Sequence, residues 1–213
     1  MTVIDVHTHM LDRSWLELLR REAPPRYEVA PVTEDLEGIY RDGALFMTPM
    51  PGHFDYGLRV RDMDAAGVDL AIVSLTCPNV YWGGEAVSLQ AARIMNDSMA
   101  RGQAEHPARI RWMASLPWEY PDQALGELER ACKAGAVGVM VLANVAGRPL
   151  TEPAFAPIGS REPEREPVHL RRLGARRSVE ASLLAALVDR APRPQGIRTA
   201  VHRQRPYHAR WWP

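Results

Sequence analysis

Apolar residues recur along the first 150 positions in two alternating rhythms. Short continuous runs read as buried strands, and stripes spaced three and four apart read as helices. The first run, Val3-Ile-Asp-Val-His-Thr-His9, predicts a strand that ends in two histidines. Ser14 is placed to cap a short amphipathic helix over residues 15–21, with Leu16, Leu18 and Leu19 apolar. Residues 23–53, rich in Pro, Gly and charge, read as a long irregular insertion. Asp55 then caps a helix running to about Ala66, with Gly67 as its stop. Residues 70–75 form a second buried strand. A helix follows over 85–105, striped by Val87, Ala91, Ile94, Met95 and Met99. A third strand is predicted over 110–116. Pro121 opens a helix with Leu125, Leu128 and Cys132 on one side, ended by Gly135, before a fourth strand over 137–142.

Strand and helix thus alternate four times, which predicts an α/β fold with a parallel sheet. A doubly wound nucleotide binder would carry a Gly-rich turn after its first strand, whereas this chain has His7-Thr-His-Met-Leu11 there. In a (β/α)8 barrel the active residues sit at the C-terminal ends of strands, where His7 and His9 fall. The expected architecture is therefore a partial TIM-type barrel of about four βα units.

Composition narrows the setting. With 46% hydrophobic and 24% charged residues, the chain has the make-up of an ordinary globular domain. No run approaches 18 apolar residues, so no membrane span is expected. The N-terminus lacks a signal-peptide pattern, and two cysteines, Cys77 and Cys132, suit a reducing cytoplasm. The zero net charge hides a division: residues 159–213 hold 12 Arg and five acids, a surplus of seven, balanced by an acidic remainder.

Alternation along the first strand places Asp5, His7 and His9 on one face. Imidazoles about 7 Å apart on a strand face can lean onto one cation, at roughly 2.0–2.1 Å per Zn–N bond. The competing reading is two histidines that merely alternate.

The segment Ile4-Asp-Val-His-Thr-His9 resembles the metal-binding opening of the amidohydrolase superfamily, in its decarboxylase branch typified by 2-amino-3-carboxymuconate-6-semialdehyde decarboxylase. Arg41-Asp-Gly-Ala-Leu-Phe46, Arg61-Asp-Met-Asp-Ala-Ala-Gly-Val-Asp69, Tyr81-Trp82, Asn96-Asp97, Ala114-Ser-Leu-Pro117, Glu127-Leu-Glu-Arg-Ala-Cys132 and Pro153-Ala-Phe-Ala-Pro-Ile158 extend the resemblance in order. It implies a (β/α)8 barrel with one divalent metal, Zn²⁺ or Mn²⁺, held by the strand-one histidines, a strand-five histidine and a strand-eight aspartate. A further histidine near strand six serves as acid/base. The implied reaction is decarboxylation, or hydrolysis, of a small carboxylated aromatic or muconate-type acid. Only the pair carries over, as metal ligands His7 and His9. Phe46 and Trp82 match positions near the family's substrate pocket. Met47 departs from the pattern, because the carboxymuconate enzymes place there an arginine that holds a substrate carboxylate. Cys77, at the end of strand two, reads as a buried, inert thiol rather than a pocket-lining one.

The resemblance covers residues 1–158 and then ceases, which divides the chain into a 1–158 barrel half and a 159–213 Arg/Pro-rich basic tail. Only residues 178–190 of the tail show helical periodicity. A reading-frame change in a GC-rich gene best accounts for it, against a genuine nucleic-acid-binding tail or a divergent second half. The near absence of lysine, Lys133 alone beside 25 Arg, fits such a source. His169, His202 and His208 are conceivable replacement ligands. An enzyme inactive in this truncated form is the expected reading. The alternative is a non-enzymatic fragment whose tail binds nucleic acid or a protein partner. A homodimer is compatible with either.

Overall fold

The first strand, β1 (Ile4–His9), and the three buried runs after it line up in the computed structural model, which describes residues 2–142 and 144–159. Together with β5 (Leu70–Ser74), β6 (Ile110–Ala114) and β7 (Gly138–Val139), β1 forms a parallel sheet in the order β1-β5-β6-β7. Helices join successive strands: α2 (Tyr56–Ala66), α3 (Glu85–Glu105) and α4 (Pro121–Lys133). This is the expected βα alternation.

Several elements match their local signals closely. The Asp55 carboxylate accepts from Leu58 N at 2.8 Å, and Gly67 ends α2 in the left-handed region at φ 68°. The helix read over 85–105 has those same bounds. Its buried face, Ala91, Ala92, Met95 and Met99, joins Trp112 of β6 and Trp15 and Leu19 of α1 (Arg13–Glu22) in one core. Val87 and Ile94 lie at the edge of that face.

Other expectations need correction. Asp12, not Ser14, caps α1, because its carboxylate accepts from the Ser14 N–H at 2.8 Å. Residues 23–53 are largely ordered rather than irregular. They hold an antiparallel sheet of β2 (Tyr27–Thr33), β3 (Leu36–Arg41) and β4 (Ala44–Met47). Asp42 and Gly43, at φ 51° and 81°, make the β3–β4 turn with the Asp-Gly pair such hairpins favour. On α4 the buried positions are Ala124, Glu127 and Ala131. Leu125 and Leu128 are only partly buried and Cys132 is exposed. Hydrogen bonding to Asn96 draws Glu127 inward and rotates the helix away from its apolar stripe. The fourth strand keeps only Gly138–Val139 of residues 137–142.

After β7 the chain makes a hairpin of β8 (Asn144–Val145) and β9 (Arg148–Pro149), then a short helix α5 (Ala156–Gly159). Phe155 is buried edge-on to Trp118, ring centroids 6.2 Å apart. The tail from residue 160 on, with its predicted 178–190 helix and His169, His202 and His208, lies outside the described residues. No described helix is long and apolar enough to cross a membrane.

The Tyr56 ring of α2 reaches α3 only because position 102 is glycine. A Cβ there would press into three carbons of the Tyr56 ring, well inside contact distance. Gly102→Ala is therefore expected to destabilise the fold by about 1–3 kcal/mol, as overpacking does. Urea denaturation checks this; an unchanged midpoint would show that the Tyr56 ring moves aside freely.

Candidate metal site

β1 delivers both histidines to one place, although not by simple alternation. Its pairing with β5 runs Ile4 with Leu70 and Asp5 with Ala71, then shifts to Thr8 with Val73 and His9 with Ser74. Three steps on β1 thus span two on β5, an extra residue of the kind that forms a β-bulge. From Ala71 to Ser74 is an odd step, so those positions face opposite sides of β5. Asp5 and His9, level with them, do not share a face as strict alternation predicts. Asp5 instead curls back to accept from the His7 N–H at 3.0 Å.

The imidazoles nevertheless meet. Their ring centroids lie 5.1 Å apart, edge to face at 80°, beside the C-terminal end of the strand. His7 is exposed and His9 half-buried. His9 Nδ1 lies 3.1 Å from Ser74 Oγ. Burial, and next the neighbouring His7, push the His9 pKa down to about 4, with hydrogen bonding to Ser74 opposing. At neutral pH His9 is therefore an uncharged imidazole, the form that binds metals.

Two further groups crowd this end of β1. Arg59 of α2 donates from Nη2 to the His9 carbonyl at 2.9 Å and reaches Gly52 O at 3.5 Å. Burial lowers the Arg59 pKa, while Asp5 and Asp62 hold it up. His53, in the short 3-10 turn Pro51–His53, accepts from Met50 N at Nδ1, 2.9 Å. Its own carbonyl accepts from Leu11 N at 2.7 Å. Burial, then Arg59, lowers the His53 pKa. Sequence reasoning missed Ser74, Arg59 and His53, and nothing local marks them. His9 meets Ser74 and Arg59 across 65 and 50 residues of chain.

Phe46 and Trp82 each pack against another aromatic ring. Phe46, on β4, is 39% exposed and lies edge-on to Tyr27 at 6.2 Å. Trp82 lies edge-on to Trp15 at 6.3 Å, and its Nε1 donates to Asn79 O at 2.8 Å. Each has an aromatic partner of its own, and neither partner is one of the two histidines. Met47 stands opposite Ile39 on the antiparallel sheet. Cys77 is exposed as a residue, but burial of its sulfur pushes the thiol pKa up, with Arg41 opposing. Cys77 is thus not the buried residue expected, because its backbone and Cβ reach the surface, although the raised thiol pKa keeps it in the inert, neutral form.

Among the described residues, no group of three or more His, Cys, Asp or Glu is placed to hold a metal ion. A structural zinc site takes four protein ligands and a catalytic one three plus water. The adjoining, uncharged His9 and exposed His7 fit two of those places and leave the others open.

No family model matches the chain. It is 28% identical over 163 residues to 2-amino-3-carboxymuconate-6-semialdehyde decarboxylase of Dictyostelium discoideum, covering 73% of this chain and 44% of that protein. Over 85 residues it is 40% identical to gamma-resorcylate decarboxylase of a Polaromonas species, covering 39% of this chain and 26% of that one. Both of these relatives are named as decarboxylases. The fold agrees. A 5-carboxyvanillate decarboxylase from Novosphingobium aromaticivorans, solved with manganese and 4-hydroxy-3-methoxy-5-nitrobenzoic acid, superposes with a TM-score of 0.57. That likeness, at 22% identity, covers 74% of this chain and 46% of that enzyme. The chain thus spans less than half the length of these relatives.

Proposed function

We propose that His7 and His9 form the β1 portion of a mononuclear divalent-metal site in a decarboxylase, on a fold that is part of a (β/α)8 barrel. The observation that carries this reading is the meeting of the two imidazoles, 5.1 Å apart, at the C-terminal end of the first parallel strand. That is the catalytic end of such barrels. Names of relatives and neighbours support a small carboxylated aromatic acid as substrate. Zn²⁺ or Mn²⁺ would, when bound, supply Lewis-acid polarisation where charge develops.

The chain's own residues do the rest. His7 and His9 offer ring-nitrogen donors, His9 as a neutral imidazole. Phe46 and Trp82 supply aromatic surface, Trp82 by its ring faces, since its N–H is spent on Asn79. Met47 cannot form the charge-assisted pair that a second substrate carboxylate would need, which favours an aromatic monoacid over a muconate-type diacid. In decarboxylation the bond to the carboxyl carbon breaks, CO2 departs and a proton takes its place.

The proposal also covers the tail and the activity of the 213-residue chain. Two imidazoles are an incomplete set, so this chain is expected to bind metal and to release no CO2 from 2,6-dihydroxybenzoate. Calorimetric titration with Zn²⁺ and with Mn²⁺ tests the site. We expect one equivalent bound, with affinity lowered on the order of 100-fold by His7→Ala, the upper range for losing even an outer partner. No uptake by the unaltered chain, or equal uptake by the variant, would overturn the reading. Salt-sensitive DNA binding without metal uptake would favour a binding tail instead.

A further inference from the structure

We propose that two copies of this chain close one eight-stranded parallel barrel, each supplying the sheet β1-β5-β6-β7. The inference rests on the reading of that sheet as part of a (β/α)8 barrel, and not on the reading of His7 and His9 as metal donors. Among the described residues β1 pairs only with β5 and β7 only with β6, so both outer edges of the sheet are unpaired. Open edges present backbone N–H and C=O groups that invite another strand. Val137, just before β7, adds an apolar side chain that is 36% exposed and no part of the core.

The sheet also carries a second apolar layer. Its strands are added in one direction, and right-handed crossovers then put α2, α3 and α4 on the same side. Val73, Trp112 and Ala114 belong to the core on that side. Ile72 and Met113 alternate with them and so lie on the opposite side. There they are buried outside that core, as is Met140. In a closed eight-stranded barrel such inward side chains fill the interior together with those of the opposite strands. Four strands supply half of that filling.

What the chain has left decides the occupant of the other half. Its four βα units take up residues 1–159, so residues 160–213 are too few for four more. Their surplus of arginine also suits them poorly to an apolar interior. A second copy brings four parallel strands, two open edges and the same apolar layer. With a twofold axis along the barrel all eight strands stay parallel, β7 of each copy meets β1 of the other, and the two seams are identical. The C-terminal strand ends then gather at one mouth. The partner's His7 and His9 open on the mouth that holds the first pair.

Sedimentation equilibrium on the 213-residue chain, without added metal, tests this together with hydrogen exchange at several protein concentrations. The expected result is a dimer whose β1 and β7 amides are both protected and lose that protection on dilution, while β2–β4 exchange unchanged. Val137→Lys, at an exposed position, should raise the dissociation constant about tenfold, because the seam would bury an ammonium group. A monomer with β5 and β6 protected overturns the dimer and leaves the barrel reading standing. Protection of β1 and β7 in that monomer would assign the face to residues 160–213. Free exchange of β5 and β6 would remove the sheet itself, and both readings with it. A dimer that protects β2–β4 instead, or one that Val137→Lys leaves intact, also overturns the inference.

Discussion

Glu127→Ala should cost the fold about 1–3 kcal/mol, the range for leaving a buried polar partner unsatisfied. The Glu127 side chain is fully buried on α4. Its Oε1 accepts from Asn96 Nδ2 at 2.6 Å and from Arg130 Nη2 at 2.8 Å, and Oε2 accepts from Arg130 Nε at 2.8 Å. Arg130 is thereby held in a two-pronged grip that only a carboxylate supplies. Asn96, buried on α3, uses the rest of its amide to bracket Ser115. It accepts from Ser115 N at 2.9 Å and donates to Ser115 O at 3.0 Å. One carboxylate therefore ties α4, α3 and the end of β6 together. Removing it leaves the buried Asn96 amide short of an acceptor, while Arg130, 37% exposed, keeps Asp97 as a partner. Glu127→Gln should also lose heavily, because its NH2 would face the Arg130 N–H groups. Urea unfolding of the three proteins gives the measurement. A loss below 1 kcal/mol in Glu127→Ala would mean that the network relaxes onto solvent.

Trp15→Ala is the second large effect, expected at about 3–5 kcal/mol for a fully buried aromatic. Trp15 is 0% exposed, and its Nε1 donates to Asn79 O at 3.1 Å. That carbonyl also accepts from Trp82, and the two indoles pack edge to face. The truncation opens a cavity between α1 and the segment after β5, and it deprives Trp82 of its ring partner. Trp15→Phe keeps most of the volume and drops the N–H, so it should lose markedly less. Comparing urea midpoints separates packing from hydrogen bonding. Equal losses in the two variants would place the whole effect on the indole N–H.

Much of the fold was legible because its signals are local. Asp55 and Gly67 bound α2 by cap chemistry that depends on neighbouring residues alone, and the long stripe of α3 repeats often enough to fix its ends. Where two signals compete, the reading failed. Pro31, the acids Glu34, Asp35 and Glu37, and the exposure of most of β2 and β4 mask the strand alternation in residues 27–47, although Asp42-Gly43 announces a hairpin. On α4 the apolar stripe pointed one way and a long-range partner, Asn96, pulled Glu127 another. The site divides along the same line. The His7/His9 pair is contiguous and readable. Ser74, Arg59 and His53 reach it only because parallel pairing and the α2 packing bring distant segments together. The comparisons reinforced the family reading, and they cover much the same stretch as the ordered motifs did.

The extra residue in β1 divides that strand into two stretches that respond differently to a change in length. Loss of one residue between Asp5 and Thr8 would make the pairing with β5 regular and still leave His9 level with Ser74. Loss or gain of a residue after Thr8 would instead carry His9 off that level and away from the guanidinium that grips its carbonyl. The position of a length change in β1 therefore matters more to His9 than the change itself.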